Sequence, residues 1–284
     1  MSAGTLETAS ALHYPRVLSI AGSDSSGGAG IQADLKTCSA LGCFGMTAIT
    51  AITVQNTVGV RAVQALPSSL LAAQIDAVAE DIGVDAVKIG MLHHPAVVRE
   101  VAAAIRRHKF RHVVLDPVMV ATSGDRLVEE ETPAALVREL FPLVSVITPN
   151  LDEAAWLLGR KIDRAGQLDD AAAELAAMGA PAVLLKGGHL QGPILTDLLL
   201  APPAVSRRWH NPRIDTLNTH GTGCTLSSAI ACGLALGLTL EQAVDEAEAY
   251  MRQALLEGAD VVTGHGHGPL NHAAAPRMMR KLQG

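Results

Sequence analysis

From residue 16 onward the chain alternates between two hydrophobic patterns. Short runs rich in Val, Ile and Leu predict strands at 17–20, 47–54, 86–89, 113–115, 144–148 and 182–185. Between them, Ala-rich stretches with apolar residues three to four apart predict helices at 31–41, 70–81, 96–107, 133–141, 151–158 and 169–178. Strands alternating with helices of this length imply right-handed crossovers, hence an α/β fold whose mostly parallel sheet is covered on both faces. After Gly221 the alternation stops, and two long helices are predicted over about 222–236 and 240–256. No internal repeat, charge block or low-complexity linker breaks the pattern, so one domain at 15–284 is expected behind a tail at 1–14.

Open α/β sheets collect ligands beyond the carboxyl ends of their strands. The chain's unusual residues recur there. Asp24 follows the first predicted strand and Gln55 the second; Lys88 and Met91 lie at and after the third. Asp116 follows the fourth, Asn150 the fifth and Lys186 the sixth. Their convergence on one sheet edge predicts a single large site.

Composition narrows what that site holds. Of 284 residues 49% are hydrophobic and 18% charged, enough for a substantial core and too little charge for disorder. Aromatics are 2%, which removes the stacking platforms that single-stranded nucleic acid needs. The net charge of -6 excludes holding phosphate backbones through bulk charge. No nucleic-acid partner is expected, and any bound phosphate must be held by local geometry. Cys38, Cys43, Cys224 and Cys232 show no CxxC pairing and no zinc-type His spacing. The sequence has no signal-like apolar start and no uncharged stretch of about 20 residues, so a cytoplasmic protein without membrane spans is expected.

The strongest local signal is Asn-Thr-His-Gly-Thr-Gly-Cys at 218–224, running directly into an apolar helix. Gly221 and Gly223 permit a tight turn, and the free amides of a helix start favour a phosphate or developing negative charge. Cys224 sits at that positive end, where its thiol pKa is expected to fall and the thiolate to serve as a proton acceptor. Cys232, inside the helix, reads as a small buried hydrophobe. The second signal is the Gly- and Ser-rich loop at 21–34. It matches neither GxxxxGK[ST] nor a GxGxxG with an acidic partner about 20 residues on, so it is free to line a small substrate.

These segments occur in one order with Gln55-Asn-Thr, Lys88-Ile-Gly-Met91, Leu115-Asp-Pro-Val-Met119, Thr148-Pro-Asn-Leu-Asp-Glu153 and Leu185-Lys-Gly-Gly-His189. Together, over about 16–272, they resemble the hydroxymethylpyrimidine/phosphomethylpyrimidine kinases of thiamine biosynthesis, within the ribokinase-like superfamily. The resemblance implies a ribokinase-like three-layer α/β/α fold, Mg²⁺ and ATP as cofactors, and phosphorylation first of the hydroxymethyl group and then of the monophosphate. It also implies a homodimer. Single motifs are shared with pyridoxal kinases, which leaves a pyridoxal kinase as the alternative; a non-catalytic pyrimidine sensor is the rival from outside the enzymes.

The resemblance assigns roles residue by residue. Gly221, Thr222, Gly223 and Cys224 would form the anion hole and catalytic position, where Cys224 replaces the superfamily's usual Asp. Gln55 would read the pyrimidine, because a carboxamide offers a donor and an acceptor side by side. Gly22, Met91, Val118 and, as a polar contact, Asp34 would complete the substrate pocket. Asp116, Asn150, Glu153 and Lys186 would serve the nucleotide, with Asp116 and Glu153 near Mg²⁺, Glu153 through water. Trp156 and Trp209 read as packing residues, His93-His94 as a solvated loop, and His265-Gly-His267-Gly as a C-terminal turn.

Overall fold

A computed structural model describes residues 12–121, 124–125, 127–188, 190, 192–203 and 205–283. The chain opens with β1 (Leu12–His13), β2 (Arg16–Asp24), α1 (Gly30–Ala40), β3 (Phe44–Asn56) and β4 (Gly59–Ala65). Next come α2 (Ser68–Asp81), β5 (Ala86–Ile89), α3 (Pro95–His108), β6 (Val113–Leu115), α4 (Thr132–Glu139) and β7 (Val146–Ile147). The second half runs α5 (Leu151–Leu158), α6 (Leu168–Ala177), β8 (Val183–Leu185), β9 (Ile194–Ala201), β10 (Val205–Pro212), α7 (Thr222–Ala235), α8 (Leu240–Leu256) and β11 (Leu282–Gln283).

Nine strands form one sheet in the order β10-β9-β8-β7-β6-β5-β2-β3-β4. The six from β3 through β8 in that row are parallel, while β4 closes one edge and β9 and β10 the other in antiparallel register. The period-2 alternation of the strands sorts the core into two layers. Leu18, Ile20, Val87, Ile89, Val113 and Leu115 pack with α2 to α6 on one face, whereas Val17, Ala86 and Val114 pack with α7 and α8 on the other. Ser19 and Lys88 share the register of this second set, so the same alternation drives a serine and a lysine under the first turns of α1 and α7.

Every predicted helix is present within about two residues of its expected ends, and β5 and β6 match to the residue. The antiparallel additions β4, β9 and β10 were not foreseen. β10 alternates half-buried and exposed positions, so it carries no apolar run to mark it. Asn211 and Pro212 end β10, paired with Leu195 and Ile194. Of the expected tail, residues 1–11 lie outside the described residues, while Leu12 and His13 pair antiparallel with Gln283 and Leu282. A two-residue strand whose partner lies about 270 positions away leaves no periodic signal.

Candidate active site

The carboxyl ends of β2, β3, β5, β6, β7 and β8 and the start of α7 surround one cleft of about 670 Å³. Of the residues singled out in the sequence, Gly22, Gln55, Met91, Val118, Asp116, Asn150, Glu153, Lys186, Gly221, Thr222, Gly223 and Cys224 all line it. Met91 and Val118 form an apolar wall with Ala51 and Leu127. A Cβ at Gly22 would come within 2.5 Å of Met91 Cε, so any larger residue there would push the flexible end of Met91 out of the wall.

Asp34 is the exception. Its carboxylate is 1% exposed and does not line the cleft. Lys88 Nζ donates to both of its oxygens at 2.8 Å, Ser19 Oγ donates at 2.5 Å and Ser228 Oγ at 2.7 Å. The expected substrate contact is therefore corrected: Asp34 neutralises Lys88 beneath the site. Burial alone would push the Lys88 ammonium down, but Asp34, Cys224 and Asp116 more than offset it and hold the lysine charged.

The helix start is built by glycine. Gly221 is the N-cap of α7 with φ 85°, a left-handed conformation. A Cβ at Gly221 would overlap the carbonyl oxygen of Gly28, so this close approach ties the 218–224 turn to the first loop. The Thr222 N–H donates to the Thr219 carbonyl at 3.3 Å, and the positive end of α7 favours an anion beside Lys186. Gly223 faces the charged groups directly: its Cβ would lie 3.2 Å from Asp116 Oδ2 and 3.3 Å from Lys186 Nζ.

Asp116 and Lys186 are joined at 3.0 Å, and Thr148 Oγ1 donates to the same Asp116 oxygen at 3.0 Å. Burial opposes the charge on Lys186, but Asp116 and Glu153 hold its pKa above the ordinary value. Asn150 caps α5 through a capping box: its Oδ1 accepts from the Glu153 N–H at 2.9 Å, and its own N–H donates to Glu153 Oε2 at 2.8 Å. Burial pushes the Glu153 carboxyl up to about 8, and Asp116 and Asp152 add to the shift against the opposing pull of Lys186. Glu153 thus both caps a helix and presents a carboxyl poised to ionise when a cation arrives.

Cys224 departs from expectation in its acidity. The helix start was expected to lower its pKa, yet burial pushes the thiol up to about 11, with Asp34 and Asp116 adding to the rise and Lys88 opposing it. The helix end supplies a fraction of a charge, whereas the two carboxylates and the loss of water act together on the sulfur. At rest the residue is a neutral thiol. Among the other cysteines, Cys232 is buried, as expected, with its sulfur 3.7 Å from that of Cys38.

Sequence reasoning missed four features. Asp24 was noticed only for its place after a strand, but its carboxylate receives the Ser26, Gly28 and Ala29 amides, the Ser26 hydroxyl and His220 Nε2. His220 lies inside the 218–224 motif and was not singled out, although it links Asp24 to Gln55. Asp197 on β9 and Glu248 on α8 line the cleft as an acid pair, with Glu248 pushed up to about 9 by burial and by Asp197. Trp156 was read as packing, yet it is 39% exposed and lines the cleft. Trp209 does pack: the Arg207 guanidinium sits 5.0 Å over its ring. His94 caps α3, and the 265–268 turn closes on Thr57, where Gly266 N–H donates to the Thr57 hydroxyl at 3.2 Å.

Comparison with known proteins gives this arrangement its lineage. The family model described as phosphomethylpyrimidine kinase matches residues 24–271. A hydroxymethylpyrimidine/phosphomethylpyrimidine kinase of Rhizobium meliloti is 52% identical over 258 residues, covering 90% of this chain and 96% of that protein. Its Escherichia coli counterpart is 46% identical over 256 residues, covering 90% and 96%. Among solved structures, phosphomethylpyrimidine kinase from Clostridium difficile superposes with TM-score 0.75 at 42% identity, over 84% of this chain and 99% of that one. An ADP complex of Bacillus subtilis pyridoxal kinase superposes with TM-score 0.85 at 36% identity, over 92% and 98%. The ribokinase-like three-layer fold inferred from the motifs is the fold these kinases share, and with a family match spanning Asp24 to Asn271 the chain belongs to the phosphomethylpyrimidine kinases.

Proposed function

We propose that the chain transfers a phosphoryl group from ATP to the hydroxymethyl group of 4-amino-5-hydroxymethyl-2-methylpyrimidine, and then to its monophosphate, in thiamine biosynthesis. One observation carries the reading: a carboxamide reader, Gln55, and a glycine-built anion hole, Gly221 to Cys224, line the same cleft as the Asp116–Lys186 pair. Relatives bearing this activity in their names, at 52% and 46% identity over nearly their whole length, support it.

Phosphoryl transfer asks chiefly for alignment and charge stabilisation. Gln55 positions the pyrimidine edge against the apolar wall of Met91 and Val118, with Gly22 leaving room for the ring. The α7 amides receive the charge that develops on the transferred group, and Lys186 neutralises phosphate as a point charge. Cys224, once its own proton has passed to solvent, accepts the hydroxyl proton as thiolate, a form that the Lys88 cation favours. A neutral resting thiol, unlike a carboxylate, adds no repulsion toward a substrate that already carries phosphate.

The donors fit Mg²⁺. Asp116 and Glu153 supply carboxylate oxygens, and Glu153, pushed up chiefly by burial with Asp116 adding to the rise, would regain its charge beside an added cation. Among the described residues no group of three or more His, Cys, Asp or Glu side chains forms a metal cage, so most of the metal's shell would have to come from phosphate and water. Bound there, Mg²⁺ would neutralise phosphate charge. We further infer a homodimer, a single kinase domain over 15–284 and a cytoplasmic location; no helix among the described residues is long and apolar enough to cross a membrane.

Incubation with the hydroxymethylpyrimidine and ATP, followed by separation of mono- and diphosphate, tests the reading; both products are expected. Structural likeness to pyridoxal kinase makes pyridoxal the informative competitor. A large kcat/KM preference for pyridoxal would overturn the substrate assignment, and tight pyrimidine binding without turnover of any heterocyclic alcohol would favour a sensor.

A further inference from the structure

The contact between Gln55 and His220 contains a conflict that chemistry resolves in only one way. His220 Nε2 lies 2.8 Å from Asp24 Oδ2 and 3.5 Å from Gln55 Nε2. A carboxylate offers acceptors only, so the 2.8 Å contact places a proton on His220 Nε2. That ring nitrogen would then face an amide NH₂, donor against donor. On the other flank, the Thr53 hydroxyl donates its single proton to the Ser23 carbonyl at 2.8 Å, leaving only lone pairs toward Gln55 Oε1 at 3.2 Å. Turning the carboxamide by half a rotation relieves both contacts: the NH₂ donates to Thr53 Oγ1, and Oε1 faces the His220 N–H, already given to Asp24, as the long arm of a shared three-centre bond.

We propose that Asp24, His220 and Thr53 are positioning residues that lock the Gln55 carboxamide in this single orientation and thereby set which heterocycle edge the cleft accepts. The inference rests on the reading of the cleft as a pyrimidine kinase site. Held on both flanks, the carboxamide keeps one N–H and one oxygen lone pair on its free edge, in fixed order. A 4-aminopyrimidine meets that edge with a ring nitrogen acceptor beside an amine donor. A 4-oxopyrimidine presents a ring N–H beside a carbonyl, the same two functions in reverse order. Accepting it requires the amide to flip, which restores the donor-against-donor clash at His220 and an acceptor-against-acceptor contact at Thr53.

The surroundings keep the histidine from yielding. His220 is 5% exposed, and its backbone N–H donates to the Gly268 carbonyl at 3.0 Å. Gly28 lies against the ring so closely that a Cβ there would overlap His220 Cδ2. Asp24 stays ionised: burial opposes the charge, but His220, Ser26 and Ala29 hold its pKa well below the carboxylate range. The polarity of the lock is therefore set by a fixed carboxylate and passed through a ring with no room to turn.

The test compares kcat/KM for the 4-amino and 4-oxo forms of the same 5-hydroxymethyl-2-methylpyrimidine, in the wild type and in His220→Leu, His220→Gln and Thr53→Val. Losing one flank of the lock should shrink the amino-to-oxo preference about tenfold in Thr53→Val, as expected for one hydrogen bond, and by less, in the same direction, in His220→Leu, whose flank is the long arm of a shared bond. The change should sit in KM for the pyrimidines, with KM for ATP within about twofold of wild type in Thr53→Val, which lies outside the 221–224 loop. His220→Gln, which keeps an N–H donor, should recover part of the preference. Folding is followed by the rise in Tm on adding ATP; should His220→Leu lose it, Thr53→Val decides. A preference unmoved in folded variants, with both substrates weakened alike, would show that these residues only support the loop and overturns the inference alone. A wild type that phosphorylates neither pyrimidine overturns the reading of the cleft and the inference with it.

Discussion

Replacing Gly221 by alanine probes the joint on which the anion hole depends. The backbone at Gly221 has φ 85°, which costs a residue with a Cβ about 1–2 kcal/mol. The new methyl would also lie roughly 1 Å or more inside ordinary carbon–oxygen contact distance of the Gly28 carbonyl, a backbone atom unable to swing aside. Forcing two backbones apart in a packed region adds about 1–3 kcal/mol. The sum, about 2–5 kcal/mol, corresponds to a fall in Tm of about 5–15 °C for a chain of this size. Separation of the loops carries Thr222, Gly223 and Cys224 with it, and a displacement of about 1 Å at a reacting centre lowers kcat about a hundredfold. Gly237→Ala is the matched control: φ is 83°, but no heavy atom lies within 4 Å of the added Cβ. It should cost about 1 kcal/mol and leave kcat unchanged. Thermal unfolding and steady-state kinetics on the two variants decide the matter. A Gly221→Ala enzyme within about 2 °C and threefold of wild type, or equal damage from Gly237→Ala, would refute the reasoning.

Gln55→Ala should raise KM for the pyrimidine about tenfold or more while the KM for ATP stays nearly constant; the reverse pattern would put the substrate elsewhere. Cys224→Ala should lower kcat far more than substrate affinity, and because the thiol is pushed up to about 11, wild-type kcat should climb with pH above neutrality and the variant's should not. A pH-independent wild type would remove the thiolate from its role. Glu153→Gln separates capping from charge. With its pKa raised from 4.5 to about 8, the folded protein binds more protons than the unfolded chain between those values, so the Glu153 contribution to stability falls as pH rises through that window. The neutral variant should lose this slope and keep its Tm at pH 7, yet need more Mg²⁺ for half-maximal rate; an unchanged Mg²⁺ requirement, read from a metal titration of activity, would leave Glu153 as a cap only.

Much of this protein is legible in its sequence because the relevant physics is local. Helices α1 to α8 declare themselves through apolar periodicity, and α5 through the Asn150–Glu153 capping box, which closes within four residues. The parallel strands show as buried apolar runs, and their carboxyl ends carry the polar residues that meet in the cleft. Antiparallel edge strands such as β10 escaped because a half-exposed strand needs no apolar run and takes its register from a partner. The order of motifs was enough to find the family, since Gly221, Gly223 and Gln55 stand at fixed places between those local elements.

What only the tertiary structure decided is the electrostatic state of the site. Asp34 looked available for substrate until Lys88, 54 positions on, was found filling its carboxylate from below. Cys224 looked acidic from its helix alone, but burial and the carboxylates of Asp34 and Asp116 outweigh the helix end. The partners of His220 lie 196 and 165 positions away, at Asp24 and Gln55. Periodicity and capping act over a few residues and are written in the order of the chain. Charge, desolvation and hydrogen-bond polarity act through space, between groups that only the folded backbone brings together.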